Sequence, residues 1–388
     1  MYISQENGIP YGWLWSHCYC VSCLVDPFVG HQTEHQYSSK LVQGKLPPGS
    51  RGLPILGETL DFFSQSPSLE LLGFFKRRLD NEQLRVPARG EAFRMWYPDS
   101  IMRIIGADSI ITTLGSSHKY IKNMVFRLFG PENLRRDMIK DMQKTAEASL
   151  LSWLHHPSIE LKEAASSGRK NVMKMLKEMM DERKKATGRQ ESIDFFDVLL
   201  EELKEEKHAM SENVALDLIF LLLFVSFETT ASGITAILCF LSDNPKALQE
   251  LTEEHDYIQK KRPDLNSEIT WEEYKSMKFT SHVIHEALRL TNIAPVMFRK
   301  ATEDVHIKVC TTVQDTAEPA GGASKDFMAF GGGRRLCVGA DFAKLQMAIF
   351  LHCLVTKYRW KVIKGGKMVL CPGLQFPEGF HIRLLPKG

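Results

Sequence analysis

A single cysteine set among glycines is the most chemically suggestive feature of this chain. Residues 330–339 read F-G-G-G-R-R-L-C-V-G, and Cys337 stands just ahead of the apolar-periodic run Phe342, Leu345, Ile349. Glycines at 331–333 let backbone approach a flat group closely and tolerate positive φ. The loop empties into a helix beginning near Ala340, whose unpaired N–H groups and positive dipole end lower a thiol pKa and hold the thiolate. That is the setting of a metal ligand. Cys239 and Cys353, in apolar runs, read instead as buried filler. The spacing F-x-x-G-x-R-x-C-x-G is fixed at five positions, and average residue usage produces it in a chain this long with a probability on the order of one in ten thousand.

Two more constellations could do chemistry. The stretch V-S-F-E-T-T places Glu228, Thr229 and Thr230 inside an otherwise apolar helix over 211–242, where polar groups are expensive unless hydrogen-bonded or used. A threonine bonding back to a carbonyl one turn earlier satisfies the same residues without any function. Glu286 and Arg289 stand i, i+3 on one helix face, which taken alone is a common surface ion pair.

The elements that must position these residues are mostly helical. Apolar spacing predicts helices over 69–79, 118–129, 133–154, 168–185, 194–205, 211–242 and 340–358, with a further helically spaced segment at 98–105 and a hairpin over 372–385. Ser211 is the N-cap expected for the long apolar helix, and Asp243, Asn244 and Pro245 end it. Its apolar residues cover most faces, which predicts burial. The chain has 388 residues, 44% hydrophobic and 25% charged, enough for a large core. Lys plus Arg number 49 against 47 Asp plus Glu, and a net charge of +2 gives no argument for nucleic acid. Residues 1–40 read as a poorly ordered leader, since the apolar stretch 12–25 is short and interrupted by Ser16, His17 and Ser22. Cys18, Cys20 and Cys23 lack a second ligand pair at zinc spacing, so reduced thiols are expected. His31 and His35 lie in a polar loop.

The decamer around Cys337 resembles the cysteine loop of the cytochromes P-450. That resemblance implies that Cys337 is the thiolate ligand of haem iron, that Arg335 pairs with a haem propionate, and that Phe330, Gly333 and Gly339 shape the cofactor-binding loop. Other stretches carry the same likeness. K-L-P-P-G-S-R-G-L-P-I-L-G-E-T from Lys45 is similar to the proline-rich hinge of the microsomal members. Glu228 and Thr229 match the acid and threonine that lie against the oxygen-binding face of the haem, implying a role in proton delivery, while Val225 and Ser226 depart from the small residue and glycine of that pattern. Arg299 in P-V-M-F-R-K stands where another propionate partner is expected. Lys122 stands on a helix over the propionates, with a solvated helix face as the alternative. Glu286 and Arg289 resemble the family's buried structural pair, and the arginine that completes that network has no counterpart in the stretch after Lys308.

The implied fold is mainly α with minor β, a cytochrome P-450 fold that is incomplete. A P-450 domain spans 41–388, with internal losses near 80, 165 and 308. The implied function is a haem-dependent monooxygenase that inserts one oxygen atom into a hydrophobic substrate. F-M-A-F-G-G-G-R-R-L-C-V-G-A-D-F-A-K-L-Q resembles plant members that oxidise sterols, brassinosteroids and triterpenoids. The alternative is a catalytically dead haem-binding or structural remnant. No dinucleotide or flavin motif is present, so electrons are expected from NADPH through a separate reductase. The resemblance also implies a membrane surface, the cytosolic face of the endoplasmic reticulum, with a weak or missing N-terminal anchor.

Overall fold

The computed structural model describes residues 58–80, 93–97, 102, 111–160, 169–185, 195–204, 210–301 and 327–387, with short breaks in several of these ranges. The leader, most of the hinge, the 98–105 segment and the positions near 165 and 308 lie outside the described residues. The residues described form helices α1 Thr59–Phe62, α2 Gly73–Asp80, α3 Gly115–Phe129, α4 Ile139–Trp153, α5 Arg169–Lys185, α6 Phe195–Lys204, α7 Glu212–Asp243, α8 Pro245–Lys260, α9 Trp271–Ser276, α10 Lys278–Thr291 and α11 Ala340–Lys357. The strands are β1 Phe93–Met95, β2 Ile159–Glu160, β3 Arg299–Ala301, β4 Tyr358–Gly365, β5 Val369–Cys371, β6 Gly373–Gln375 and β7 Phe380–Pro386. The mainly helical architecture with a small strand component is the one expected.

Helix α7 is the spine. At 32 residues it is about 48 Å long at 1.5 Å per residue, and it starts where Ser211 Oγ accepts a hydrogen bond from the Val214 N–H at 3.3 Å. At its other end Asn244 Nδ2 donates to the Phe240 carbonyl at 2.8 Å, and Pro245 opens α8. Each half of α7 enters a different apolar core. Ala215, Leu216 and Ile219 pack with Met124 and Val125 of α3, Met180 of α5 and Leu199 of α6. Ala236, Ile237 and Leu241 pack with Leu251 of α8, Ile284 of α10 and Leu351 of α11. Between them the helix is uncovered: Leu223 is 52% exposed and Phe227 48%. The all-round burial expected from the apolar pattern therefore holds for the two ends and fails in the middle, because no described element packs on that flank.

Helix α7 meets α11 at Gly233, where the side chain of Met347 fills the space over the glycine: a Cβ there would stand 2.6 Å from Met347 Cε and 3.6 Å from Ile293 Cδ1. This crossing lies one turn beyond Thr229 and two turns into α11 from the cysteine loop.

The expected hairpin over 372–385 is corrected. Gly373–Gln375 pairs backwards with Val369–Cys371, and β7 pairs antiparallel with β4, in a sheet ordered β2-β7-β4. The stretch thus holds two strands belonging to two different sheets. A short antiparallel pair, Met95 opposite Arg299, joins β1 to β3. The paired Glu286 and Arg289 also differ from expectation. Arg289 makes a bidentate contact with Glu286, Nε–Oε2 2.7 Å and Nη2–Oε1 2.6 Å, but both side chains are 56% exposed. The pair is a surface ion pair, so its worth is that of a screened contact and the cost expected from a missing buried partner does not arise.

Candidate active site

The cysteine loop folds back on itself. Gly331, at φ +74°, donates its N–H to the Met328 carbonyl at 2.8 Å. A 3-10 turn over Gly333–Arg335 then returns the chain, so that the Cys337 N–H reaches the Phe330 carbonyl at 3.0 Å. Gly333 at φ +61° supplies the left-handed residue the turn requires. Ala343 donates to the Gly339 carbonyl at 2.8 Å, which starts α11 directly after the cysteine.

Cys337 is exposed, yet surrounding protein desolvates its thiol and pushes the pKa up, against the pull of the Gly339 N–H and the Lys122 ammonium. The thiol is thus reachable from outside while protein atoms stand close around it. The helix-terminus argument anticipated a lowered thiol pKa; the N–H and the cation act in that direction, but desolvation outweighs them. A cation bound at sulfur reverses this balance, since a coordinating thiol is deprotonated outright.

Four basic side chains from three separate segments meet beside this loop. Lys122 of α3 donates from Nζ to the Leu336 carbonyl at 3.2 Å. Arg335 reaches the segment ahead of α3, donating from Nη2 to the Thr113 carbonyl at 2.6 Å and from Nη1 to that of Ile111 at 3.4 Å. Burial lowers the Arg335 pKa and the nearby Arg299 charge lowers it further, with Tyr97 opposing. Burial also carries the His118 imidazole down to about 4, and Arg335 and Lys122 push the same way. Tyr97, following β1, has its phenol raised by burial while Arg299 and Arg335 pull it down. Arg335 and Lys122 push as like charges on one another and on the His118 imidazole, and Arg299 pushes on Arg335.

The residues fit a haem on these observations. A cation cluster suits two carboxylates, and a reachable thiol beside it suits the iron. Gly339 has an ordinary φ of −93° and no protein atom within 4 Å of where its Cβ would stand. Neither its own backbone nor a protein neighbour requires glycine there, whereas a flat group lying on the loop does.

Sequence reasoning thus placed Lys122, Arg299, Phe330, Gly333, Arg335, Cys337 and Gly339 in what proves to be one neighbourhood. It missed His118 and Tyr97. The signal for His118 was present, since it precedes Lys122 by one helical turn on the same face; Tyr97 carried none, being brought in by strand pairing. Glu286 and Arg289 take no part, lying on an exposed face of α10. On α7, Thr229 donates from Oγ1 to the Val225 carbonyl at 2.8 Å, the back-bonded state left open as the alternative, and Glu228 beside it is half-buried.

Comparison with known proteins identifies the lineage. A sequence profile described as Cytochrome P450 matches residues 131–316 and 314–380. Cytochrome P450 87A3 of Oryza sativa subsp. japonica is 38% identical, across 91% of this chain and 88% of that protein. Cucurbitadienol 11-hydroxylase of Siraitia grosvenorii is 30% identical, across 89% and 94%. Among solved structures, retinoic acid bound cyanobacterial CYP120A1 superposes with a TM-score of 0.69 at 18% identity, over 88% of this chain and 99% of that one, which speaks for the fold. With the profile spanning more than half of its length and a rice relative at 38% identity over most of both chains, this protein belongs to the cytochrome P450 family of haem monooxygenases.

Proposed function

We propose that this chain hydroxylates an apolar polycyclic substrate of the sterol or triterpenoid type, with Cys337 as the haem thiolate and Lys122, His118, Arg299 and Arg335 seating the propionates. The observation that carries the reading is the meeting of an exposed but desolvated thiol with those four basic groups, beside the uncovered middle of α7. Family members carry haem iron and take electrons from a redox partner. The haem, when bound, supplies the activation of molecular oxygen and its insertion into a C–H bond.

The remaining chemistry falls to side chains of this chain. Lys122 and Arg335 tie the cysteine loop to α3 and to the segment before it, holding the thiol and the cations at a constant separation. Thr229 donates its one proton to the Val225 carbonyl and keeps lone pairs to accept from water, so hydroxyl rotation hands a proton onward, with Glu228 as the source. Leu223 and Phe227, one turn apart on the exposed flank of α7, offer an apolar face that suits a hydrocarbon skeleton. The substrate class rests on this face and on the activity that the name of the Siraitia relative carries.

Electrons are assigned to NADPH through a separate reductase, and the chain to the cytosolic face of the endoplasmic reticulum membrane. Helix α7 is long and apolar enough to cross a bilayer by length and composition, but its two ends are packed in protein, so association through the surface is the better reading. The chain is read as one P-450 domain over 41–388 with shortenings near 80, 165 and 308. In support, the alignment with the rice relative runs to 456 positions, more than the 388 residues available. The uncovered α7 flank also favours a second reading, a haem-binding remnant without turnover.

Two measurements test these assignments. In the haem-loaded, reduced protein, carbon monoxide should give a thiolate-type Soret band that Cys337→Ala abolishes; a band that persists in the variant overturns the ligand. With a plant reductase present, NADPH consumption that rises on adding cucurbitadienol separates an enzyme from a remnant.

A further inference from the structure

A recess with none of the residues placed at the haem in its lining opens beside α10. It is a cavity of about 300 Å³ between α9, α10 and α11, at the lower end of the range for small-molecule sites. Its floor is apolar and fully buried, made by Met277, Ile284 and Ala348. Its rim is basic: Lys275 from α9, Lys278, His282 and His285 from one face of α10, and Lys344 from α11. Among the described residues no carboxylate lines it. Lys275 and Lys344 do have acidic neighbours, Glu272 at 2.7 Å and Asp341 at 2.9 Å, but those carboxylates are 79% and 64% exposed and such pairs yield readily to a better acceptor. Lys278 has no acidic partner among the described residues.

His285 Nδ1 donates to the Ser281 carbonyl at 2.7 Å, which fixes the ring's orientation. The ring is held edge-on to Phe327 at 4.9 Å, and Lys344 approaches the Phe330 ring at 6.0 Å.

A basic rim over a dry apolar floor selects a ligand with both characters. A flat acidic protein surface would meet the lysines but leave the floor unfilled, and a free inorganic anion would do the same. We propose that this recess binds a small organic phosphate, an aromatic or aliphatic body on the Met277–Ile284–Ala348 floor with its phosphate held by Lys275 and Lys278. The site is independent of the proposed oxidation chemistry.

Equilibrium dialysis of the haem-loaded full chain against 4-methylumbelliferyl phosphate at low salt tests it. Expected is saturable binding of one molecule per chain, weakened about tenfold or more in the exposed-site double variant Lys275→Ala, Lys278→Ala. The variant Lys140→Ala, Lys144→Ala, which removes equal charge on α4, should bind as wild type does. Ala348→Leu, filling the floor, should also weaken binding. Competition by dihexanoyl phosphatidic acid would assign the same phosphate chemistry to a lipid source. The proposal is overturned if the double variant binds as tightly as wild type. It is equally overturned if inorganic phosphate or 4-methylumbelliferone matches the ester, or if a polyglutamate peptide displaces it at lower concentration, which would make the rim a protein-docking patch.

Discussion

Acid should destabilise this protein through two buried histidines far from the cysteine. His255 of α8 and His352 of α11 are 0% and 3% exposed, and their Nδ1 atoms are 2.9 Å apart. Thr280 donates from Oγ1 to Glu254 Oε2 at 2.6 Å, so its oxygen accepts from His255 Nε2 at 3.0 Å. That leaves His255 Nδ1 bare, and His352 must donate to it from Nδ1. One proton lies between the rings, so His255 cannot take a second on Nδ1 without two N–H groups colliding, while His352 would take its second on Nε2 in a buried setting. Desolvation accordingly lowers His255 to about 4 against the pull of Glu254 and Asp256. It lowers His352 to about 2, with His255, Arg262 and Lys357 pushing the same way. In the unfolded chain both return to their ordinary value of 6.5. Below that pH the unfolded state binds more protons, so stability is fully present above about pH 7 and falls as pH drops through 6.5 toward the folded values. At pH 5 each ring costs about 2 kcal/mol, a figure insensitive to the folded pKa so long as it stays well under 5. The pair together removes about 4 kcal/mol from a stability that is typically about 5–15. Urea unfolding of the full chain at pH 8, 6 and 5 should show this loss. The double variant His255→Asn, His352→Asn, whose facing amides can keep one hydrogen bond but take up no proton, should lose about 4 kcal/mol less over the same interval. If that double variant does not fold, His352→Asn alone should flatten the profile by about half. Equal pH dependence in wild type and variant would refute the reasoning.

Further expectations concern the site and the frame. Thr229→Ala should leave haem occupancy intact while diverting electrons to peroxide, measured as product formed per NADPH consumed; unchanged coupling removes Thr229 from proton delivery. Arg289→Ala should leave the thermal midpoint and haem content close to wild type, because its pair with Glu286 is exposed; a fall of many degrees would mean that the pair is covered in solution. Gly365→Ala should destabilise the β4–β7 bulge by at least about 2 kcal/mol in chemical unfolding. Its φ is +77°, and a Cβ there would stand 2.1 Å from the Gly379 carbonyl oxygen.

Local pattern carried a large part of this structure. The ends of α5, α6, α7 and α11 fall within one or two residues of the positions read from apolar period, caps and prolines, because those signals act over a turn or two of backbone. The strands after α11 were legible as extended segments but not in their pairing. Gly373–Gln375 and Phe380–Pro386 are near neighbours along the chain, yet they join different sheets. Pairing is decided by which edge is already in place, and β4, directly continuous with α11, offers β7 its edge before any local hairpin can.

The site divides in the same way. Cys337, Gly333 and Arg335 belong to one decamer directly ahead of a helix, and their types and spacing determined a glycine-rich cysteine loop without any tertiary information. Thr229 and Glu228 announced themselves as polar residues in an apolar helix. Only the fold could gather His118, Lys122, Tyr97 and Arg299 around that loop, since they come from α3, from the end of β1 and from β3, separated by up to some two hundred residues. Burial was equally beyond local reading. Glu286 and Arg289 have the same i, i+3 geometry on a surface as in a core, and the Cys337 thiol feels helix N–H groups and desolvation in opposite directions. Spacing determines which groups lie within reach of one another, and the surrounding packing determines how much water they keep, which sets their charge and their worth.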